Sequence, residues 1–220
     1  MFSLKGDYFN SSFHLPQRSG SDSADQILKR ECPADLDTLL WEAPVKYGHV
    51  QKVTESAQLG FKNWRIKTTE ERISFLKKYK EEVVLRKDEI ATAIALETGK
   101  PLWEAKTEAQ AIISKVDVTI SDSLPRIAER SIEKILPETN GHIYYRPIGP
   151  SLIIGPFNFP CHLANGQIVA ALLAGNSIIF KPSEKTCYSA QILIECFHKA
   201  NFPVLTSPGM PRKPLISVIG

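Results

Sequence analysis

An α/β fold with a parallel sheet is predicted from one apolar stretch of the chain. The run from Pro147 to Phe180 contains no charged residue, although 23% of the 220 residues are charged. Within this run, Ser151–Ile154 and Ser177–Phe180 are too short for helices and lack the alternation of half-exposed strands. Both features are typical of strands that are buried on two faces of a sheet. A helix-length segment, Leu163–Leu173, separates the two strands.

The segment between the two predicted strands carries the start and stop signals of a helix. Pro160 suits the first turn, and Gly175-Asn176 ends the helix. The resulting βαβ unit should have parallel strands joined by a right-handed crossover. Ligands of such sheets bind at the carboxyl ends of the strands. Residues 155–158 and 181–184 are therefore the candidate functional loops.

Two helices are predicted first in the region upstream of this unit. Val50–Trp64 has an apolar face, and a capping-box pattern of Thr68 and Glu71 opens the second helix. These helices are interpreted as packing around the sheet, without a chemical role. Trp64 and Trp103 are accordingly interpreted as core or interface residues and not as cofactor contacts.

Two more helices follow before residue 125. Asp88 is placed to cap the third helix, which should end at Gly99 with Pro101 just beyond it. The fourth is predicted from Leu102 to about Leu124, because Pro125 then breaks the helical pattern.

Residues 1–47 are expected to be irregular, and residues 204–220 are expected to form a Pro-rich tail. The first segment is rich in Ser, Asp and Pro and is interpreted as extended segments and loops without assigned chemistry. In the second, Pro208, Pro211 and Pro214 recur at every third position. This spacing permits polyproline II and is unfavourable for a central strand.

A β-hairpin is predicted between the helices and the βαβ unit. Its strands are Ser131–Leu136 and His142–Arg146, and the connection contains Asn140-Gly141, which is a hairpin signal. The hairpin could protrude from the body of the protein or fold onto its own domain. The residues alone leave both arrangements open.

Composition argues against several classes of function. The chain is long enough for one large domain or two small ones. A net charge of +3 without a dense basic block argues against nucleic-acid binding. Prolines, glycines and amides interrupt the charge-free run, so no membrane span is expected, and the amino terminus has no apolar signal core. The cysteines show no CxxC spacing, which favours reduced thiols in a cytoplasmic protein without a metal site; they are Cys32, Cys161, Cys187 and Cys196.

Two motifs resemble those of the aldehyde dehydrogenase superfamily. GPFNFP (155–160) is followed by a helix, AGN (174–176), a strand and KPSE (181–184). Upstream, ETGKPLWEAKTEAQAIISKV (97–116) is also similar to this family, most of all to the N-succinylglutamate 5-semialdehyde dehydrogenases of bacterial arginine catabolism. The similarity covers roughly residues 50–203. The long combined match is specific, whereas either motif alone would be weak.

The resemblance implies the amino-terminal part of an aldehyde-dehydrogenase-like fold, with helices packed on an incomplete Rossmann-like parallel sheet. In this family a hairpin at positions 131–146 protrudes and helps to join subunits, which implies a homo-oligomer. The implied organisation is an irregular segment (1–47), the helical part of a nucleotide-binding domain (48–128), the oligomerisation hairpin (129–147), a partial NAD-binding βαβ unit (148–203) and a divergent tail (204–220).

Asn158 is the candidate catalytic residue. A carboxamide N–H in a turn before a helix can donate to a developing oxyanion, together with a backbone N–H. The resemblance implies this role, because the Asn of the NFP motif stabilises the tetrahedral thiohemiacetal in the family. The alternative is that Asn158 only caps the helix that follows.

The resemblance further implies an NAD site made by both loops. Four residues would line the cofactor channel with backbone and apolar surface, and three would lie near the adenosine ribose. A carboxylate can accept from a ribose hydroxyl and repels a 2′-phosphate, so Glu184 favours NAD over NADP. The alternative is a solvated surface pair of Lys181 and Glu184. The channel residues are Ile154, Gly155, Pro156 and Phe157, and the ribose residues are Lys181, Ser183 and Glu184.

Cys161 is not the expected nucleophile, although it stands at a predicted helix start, where a thiol pKa is lowered. His162 is adjacent to it, and adjacent residues on a helix do not face each other. In the family the nucleophilic cysteine also lies in another domain, far beyond residue 220.

The implied activity is NAD-dependent oxidation of an aldehyde, with succinylglutamate semialdehyde as the expected substrate. This chemistry needs a thiolate, a carboxylate that activates water, and an oxyanion hole. The family's catalytic cysteine and glutamate come later than position 220. The chain is therefore expected to be a truncated fragment, inactive alone, left by a frameshift or truncation near codon 204. Half of a split dehydrogenase and a non-catalytic nucleotide-binding or oligomerisation module are the open alternatives.

Overall fold

The computed structural model describes residues 1–18, 20, 23–202 and the backbone of 216–218. Within this part of the chain, the α-helices are α1 (His49–Trp64), α2 (Thr69–Leu85), α3 (Lys87–Thr98), α4 (Leu102–Val118), α5 (His162–Leu173) and α6 (Cys187–Lys199). The strands are β1 (Asp7–Phe9), β2 (Ser12–His14), β3 (Gln26–Cys32), β4 (Asp35–Val45), β5 (Arg130–Leu136), β6 (Thr139–Ile143), β7 (Ser151–Ile154), β8 (Ile178–Lys181) and β9 (Ile216–Val218). No helix among the described residues has both the length and the apolar character needed to cross a bilayer.

The main sheet has five strands in the order β2-β1-β9-β8-β7. β7 and β8 pair in parallel from Ser151 opposite Ile178 to Ile154 opposite Lys181. α5 connects them, so the predicted βαβ unit is confirmed. Gly175 adopts a φ of 91° just after α5, where it ends the helix as predicted.

The tail does not follow its prediction. Ile216–Val218 forms β9, a central strand that is parallel to β8 and antiparallel to β1. The expectation that residues 204–220 are poor material for a central strand is therefore wrong for these three residues. The strand follows the last of the three prolines, so none of them removes an N–H group from it. Pro208, Pro211 and Pro214 themselves lie outside the described residues.

The amino-terminal segment is also more regular than expected. Residues 1–47 contain four strands, so their description as irregular is wrong. β3 and β4 pair over most of their length, from Gln26 opposite Val45 to Cys32 opposite Asp35. β1 and β2 pair with each other and extend the main sheet.

The two faces of the main sheet are covered by different helices. Ile178 and Phe180 of β8 point into the large core with α2, α4, α5 and α6. Ile179, on the opposite face, packs with Val53 and Ala57 of α1. β7 is at one edge of the described sheet, and its Leu152 and Ile154 are 61% and 67% exposed. The expectation that β7 is buried on both faces is therefore wrong.

The upstream helices agree with prediction in type and differ at some ends. The capping box of Thr68 and Glu71 is present at the start of α2. α3 begins at Lys87, so Asp88 lies in its first turn and is not its cap; Gly99 ends it with a φ of 77°. α4 ends at Val118 and continues as a π turn and a 3-10 turn, the latter containing Pro125.

The two tryptophans of the predicted core or interface set differ in environment. The Trp64 indole is buried, and its Nε1–H donates to the Leu172 carbonyl at 2.7 Å. Trp103 is 69% exposed and is therefore not a core residue of the described chain.

The predicted hairpin is present, but its turn is shifted. The turn is Pro137-Glu138, and Asn140 and Gly141 lie inside β6. Proline presets φ for the first central position, and Glu138 adopts a φ of 62° at the second, so the chain reverses before Asn140. Every residue of β5 is exposed, so this strand does not pack onto the described body of the protein.

Candidate functional site

The two candidate loops lie side by side at the carboxyl ends of β7 and β8. The Gly155 N–H donates to the Lys181 carbonyl at 2.9 Å. A Cβ at position 155 would lie only 3.0 Å from Cε2 of Phe180. The glycine therefore lets the backbone of the first loop lie against the Phe180 ring. Farther out, the Lys185 ammonium lies 4.9 Å from the centroid of the Phe157 ring. The structure thus brings together the two groups of sequence-predicted site residues.

The first loop presents apolar surface and one free carboxamide. Ile154 and Phe157 are exposed, Pro156 is half-buried and Gly155 is buried. Asn158 is exposed, and within the described part of the chain its side chain makes no hydrogen bond. Its carboxamide is therefore available to a ligand at the carboxyl end of β7.

Asn158 does not cap α5. The residue at the cap position is Cys161, whose side chain makes no capping hydrogen bond. Glu108 of α4 takes this role, because its Oε1 accepts from the backbone N–H groups of Cys161 at 3.0 Å and His162 at 3.1 Å. The capping alternative for Asn158 is therefore wrong.

The second loop presents two opposite charges and a hydroxyl. The Lys181 Nζ and Glu184 Oε2 atoms are 3.9 Å apart, and both side chains are substantially exposed. Ser183 is mostly buried, and its hydroxyl accepts from the Lys185 N–H at 3.2 Å. The pKa of the Glu184 carboxyl is lowered, chiefly by a hydrogen bond from the backbone N–H of Glu184 and also by the charge of Lys181. Glu184 is therefore a carboxylate at neutral pH.

Glu97 anchors the helix that follows the second loop, and sequence reasoning assigned it no role. The carboxylate is fully buried and accepts from the N–H groups of Tyr188 and Ser189, each at 2.8 Å. The indole N–H of Trp41 donates to it at 2.6 Å. Burial raises the pKa of Glu97, against the effect of these donors.

Lys100 and Glu108 form a second group without a predicted role. Glu108 Oε2 lies 2.9 Å from Lys100 Nζ, and this ammonium also donates to the Asn158 carbonyl at 2.7 Å. A signal for Glu108 exists in the sequence. It stands three residues after Ala105 and four before Ile112, on the buried face of α4.

The cysteines are not placed as nucleophiles. All four are unpaired and buried. Cys161 is completely buried, and desolvation, with a contribution from the Glu108 carboxylate, raises its pKa well above the usual value. A buried thiol of this kind is unreactive. Across the described residues, no group of three or more His, Cys, Asp or Glu side chains is arranged to hold a metal ion.

Comparison with known sequences gives a consistent set of relatives. Residues 20–206 match the aldehyde dehydrogenase family. N-succinylglutamate 5-semialdehyde dehydrogenase of Novosphingobium aromaticivorans is 40% identical over 158 residues, which is 72% of this chain and 33% of that protein. N-succinylglutamate 5-semialdehyde dehydrogenase 1 of Caulobacter vibrioides is 44% identical over 154 residues, 70% of this chain and 32% of that protein. The chain thus spans about a third of the length of these relatives.

Solved structures share the fold at low identity. Proline utilization A of Bdellovibrio bacteriovorus superposes with a TM-score of 0.83 at 21% identity, covering 97% of this chain and 20% of that one. The 1-pyrroline-5-carboxylate dehydrogenase of Thermus, with bound NAD, gives 0.79 at 20% identity, covering 98% and 39%. The NADP-dependent glyceraldehyde-3-phosphate dehydrogenase of Bacillus halodurans, complexed with NADP, gives 0.80 at 22%, covering 100% and 44%.

Proposed function

This chain belongs to the aldehyde dehydrogenase family, and on that premise we propose that it forms one side of the cofactor site of an NAD-dependent enzyme. The enzyme oxidises an aldehyde to an acid. Asn158 supplies the carboxamide donor to the oxyanion of the tetrahedral intermediate. The supporting observation is the direct contact of the two loops, through the Gly155 N–H and the Lys181 carbonyl.

The residues of the two loops fit the chemistry of a nicotinamide dinucleotide. Exposed apolar side chains at Ile154 and Phe157 suit a flat ring, and the exposed lysine–carboxylate pair suits the hydroxyls of a ribose. Because Glu184 is ionised, a 2′-phosphate beside it would meet a like charge. We therefore propose NAD and not NADP. When bound, NAD supplies the hydride acceptor of the oxidation.

Succinylglutamate semialdehyde is the proposed substrate. The support is that relatives 40% and 44% identical to this chain are N-succinylglutamate 5-semialdehyde dehydrogenases. Oxidation of any aldehyde by this chemistry needs a thiolate nucleophile and a carboxylate that activates water. Since the four cysteines of this chain are buried, we propose that the 220 residues alone do not oxidise aldehydes. The unpaired thiols also support a cytoplasmic site of action.

Completion of the site by further polypeptide is part of the proposal. Among the described strands β7 pairs only with β8, and its Leu152 and Ile154 expose apolar surface beside the cofactor loops. Exposed strand edges and apolar patches of this kind normally meet other protein. Either a separately encoded catalytic chain or a continuation of the same polypeptide could cover this surface.

The hairpin is proposed to join copies of this chain. β5 and β6 present exposed apolar side chains that the described body does not cover; they are Ile132, Ile135, Leu136 and Ile143. Such a surface on a two-stranded hairpin is typical of an interface. We therefore propose a homo-oligomer that forms through residues 131–146.

The test is a pair of measurements on the purified chain. Thermal melts with NAD should show a small rise in Tm that NADP does not give and that Lys181→Ala removes. An assay of NAD reduction with succinylglutamate semialdehyde should show no turnover. No response to NAD would contradict the cofactor assignment, and turnover by the chain alone would contradict the need for further catalytic residues. Tight NAD binding, abolished by Lys181→Ala, would instead favour a non-catalytic nucleotide-binding module.

A further inference from the structure

We propose that Lys100 and Glu108 are positioning residues, which fix the backbone of residues 158–162 and so hold the first cofactor loop in place. The inference rests on the proposed function, because that function gives the loop its role. Lys100 lies in the short connection between α3 and α4, Glu108 lies in α4, and neither belongs to the predicted site.

Four contacts converge on a stretch of five residues. Glu108 Oε1 accepts from the N–H groups of Cys161 and His162 at 3.0 and 3.1 Å. Lys100 Nζ donates to the Asn158 carbonyl at 2.7 Å and lies 4.1 Å from the centroid of the Phe159 ring. The carbonyl, the ring and both N–H groups are therefore held by the Lys100–Glu108 ion pair, whose Nζ and Oε2 atoms are 2.9 Å apart; Glu104 Oε1 also lies 3.7 Å from the same ammonium.

Burial makes this ion pair a unit. Glu108 is 2% exposed, and the Lys100 side chain is 9% exposed. A buried charge that loses its partner is strongly destabilising, so the enclosed Glu108 carboxylate requires Lys100. Hydrogen bonds to charged groups are also shorter and stronger than neutral ones. The pair therefore holds the loop more firmly than neutral side chains would.

The start of α5 depends on this pair. Cys161, at the cap position, makes no capping hydrogen bond with its side chain. The first N–H groups of a helix have no partner inside the helix, and its amino terminus carries a partial positive charge. The Glu108 carboxylate, which belongs to α4, accepts from these N–H groups and places a negative group beside the positive end of α5. Without it, the N–H groups of Cys161 and His162 would lose their acceptor, and the start of α5 would no longer be fixed to α4.

The second cofactor loop is anchored in the same way. Glu97 accepts from the N–H groups of Tyr188 and Ser189 at the start of α6, just as Glu108 does at the start of α5. Both glutamates belong to one segment, residues 97–108. This segment therefore holds the helix start that follows each loop, and the exposed side chains of both loops stay free for a ligand.

The experiment compares Lys100→Met with Lys100→Arg and with Lys80→Met in the full 220-residue chain. Lys80 forms an ion pair with Asp117 at 2.7 Å on the surface and touches neither loop, so it is a matched control. Hydrogen exchange of the Cys161 and His162 amides reports on the loop directly. NAD affinity, measured well below the Tm of every variant, reports on the site.

We expect Lys100→Met to accelerate exchange of these two amides by at least about tenfold relative to α2 and α6 and to weaken NAD binding by a similar factor. Lys100→Arg keeps the charge and the donors, so the exchange rates and the NAD affinity should stay within about threefold of the wild-type values. Lys80→Met should change neither. If Lys100→Met does not fold, Glu108→Gln replaces it, because it removes the charge and keeps one oxygen acceptor.

Exchange that is unchanged, or that rises equally in all helices, would overturn the proposal. So would unchanged NAD affinity in a variant whose loop exchange has risen. If the wild-type chain binds no NAD, the proposed function fails, and the exchange data still decide whether the ion pair holds the loop.

Discussion

The carboxylate of Glu97 accepts a 2.8 Å hydrogen bond from the backbone N–H of Ser189, 92 positions later in the chain. This contact places a buried carboxyl group at the amino terminus of α6, directly after the loop that carries Lys181 and Glu184. A charge at this position is stabilised by the helix dipole and by hydrogen bonds. The conformation of the second loop thus depends on a residue in α3.

Removal of this carboxylate should destabilise the protein strongly. Glu97→Ala leaves the N–H groups of Tyr188 and Ser189 and the Trp41 indole N–H buried without a partner. The expected loss is about 3 kcal/mol in the free energy of unfolding, measured by urea denaturation. Glu55→Ala is the control, because Glu55 is exposed on α1 and should cost less than about 0.5 kcal/mol. A loss below about 1 kcal/mol for Glu97→Ala would contradict the anchoring role.

Two buried thiols should make stability fall at high pH. Burial raises the pKa of Cys187 and of Cys196 from about 9 to about 12. Between these values the folded state keeps protons that the unfolded state has lost, so the free energy of unfolding decreases as the pH rises. The decrease should be about 1 kcal/mol per thiol from pH 9 to pH 10.

The double variant Cys187→Ala, Cys196→Ala tests this dependence. It removes both thiols and leaves the tyrosines and lysines in place, so its free energy of unfolding should fall less steeply over the same pH interval. Urea denaturation at pH 7, 9 and 10 measures both profiles. Parallel profiles for the wild type and the variant would show that the two thiols titrate normally in the folded state.

A charge on the hairpin should separate subunits without unfolding them. Leu136→Asp changes a 64% exposed side chain, so the stability of the single chain should change by less than about 0.5 kcal/mol. In an interface the same charge would be desolvated, and the oligomer should dissociate. Light scattering after size-exclusion chromatography gives the mass. The control is Leu85→Asp on α2, which is 77% exposed and outside the hairpin. An equal mass for both variants would argue against the hairpin interface.

The βαβ unit could be predicted because its signals are local. Ser151–Ile154 is the observed β7, and the Gly175-Asn176 stop directly follows α5. The resemblance carried by residues 155–160 and 181–184 is confirmed by the family match over residues 20–206. The roles of Asn158 and of the ribose residues stay predictions, since contact between the loops does not itself identify a ligand.

The amino-terminal strands form two local hairpins, β1 with β2 and β3 with β4, but the contacts that attach these hairpins to the rest of the fold could not be predicted, because those partners are distant in sequence. Trp41 in β4 is completely buried, and its indole N–H reaches Glu97, 56 positions later. β9 likewise acquires its place by pairing with β1 and β8. A local sequence pattern contains none of these contacts. The prolines before β9 even favour the interpretation that this segment is unsuited to a central strand.

The role of residues 97–108 shows the same limit. Their motif could be recognised, and the position of Glu108 on the inward face of α4 follows from helical spacing. Its partners, the N–H groups of Cys161 and His162, lie more than 50 positions away. Only the folded structure brings a buried carboxylate to the start of α5, and so connects this motif with the first loop.

The most direct test of the central claim is a titration of the isotopically labelled chain with NAD, followed by the backbone amide signals of Gly155, Phe157, Ser183 and Glu184. If the two loops form one side of a single dinucleotide site, all four signals should shift together with one common Kd. Lys181→Ala should weaken the shifts of both loops. Shifts confined to one loop, or two different Kd values for the two loops, would contradict the account.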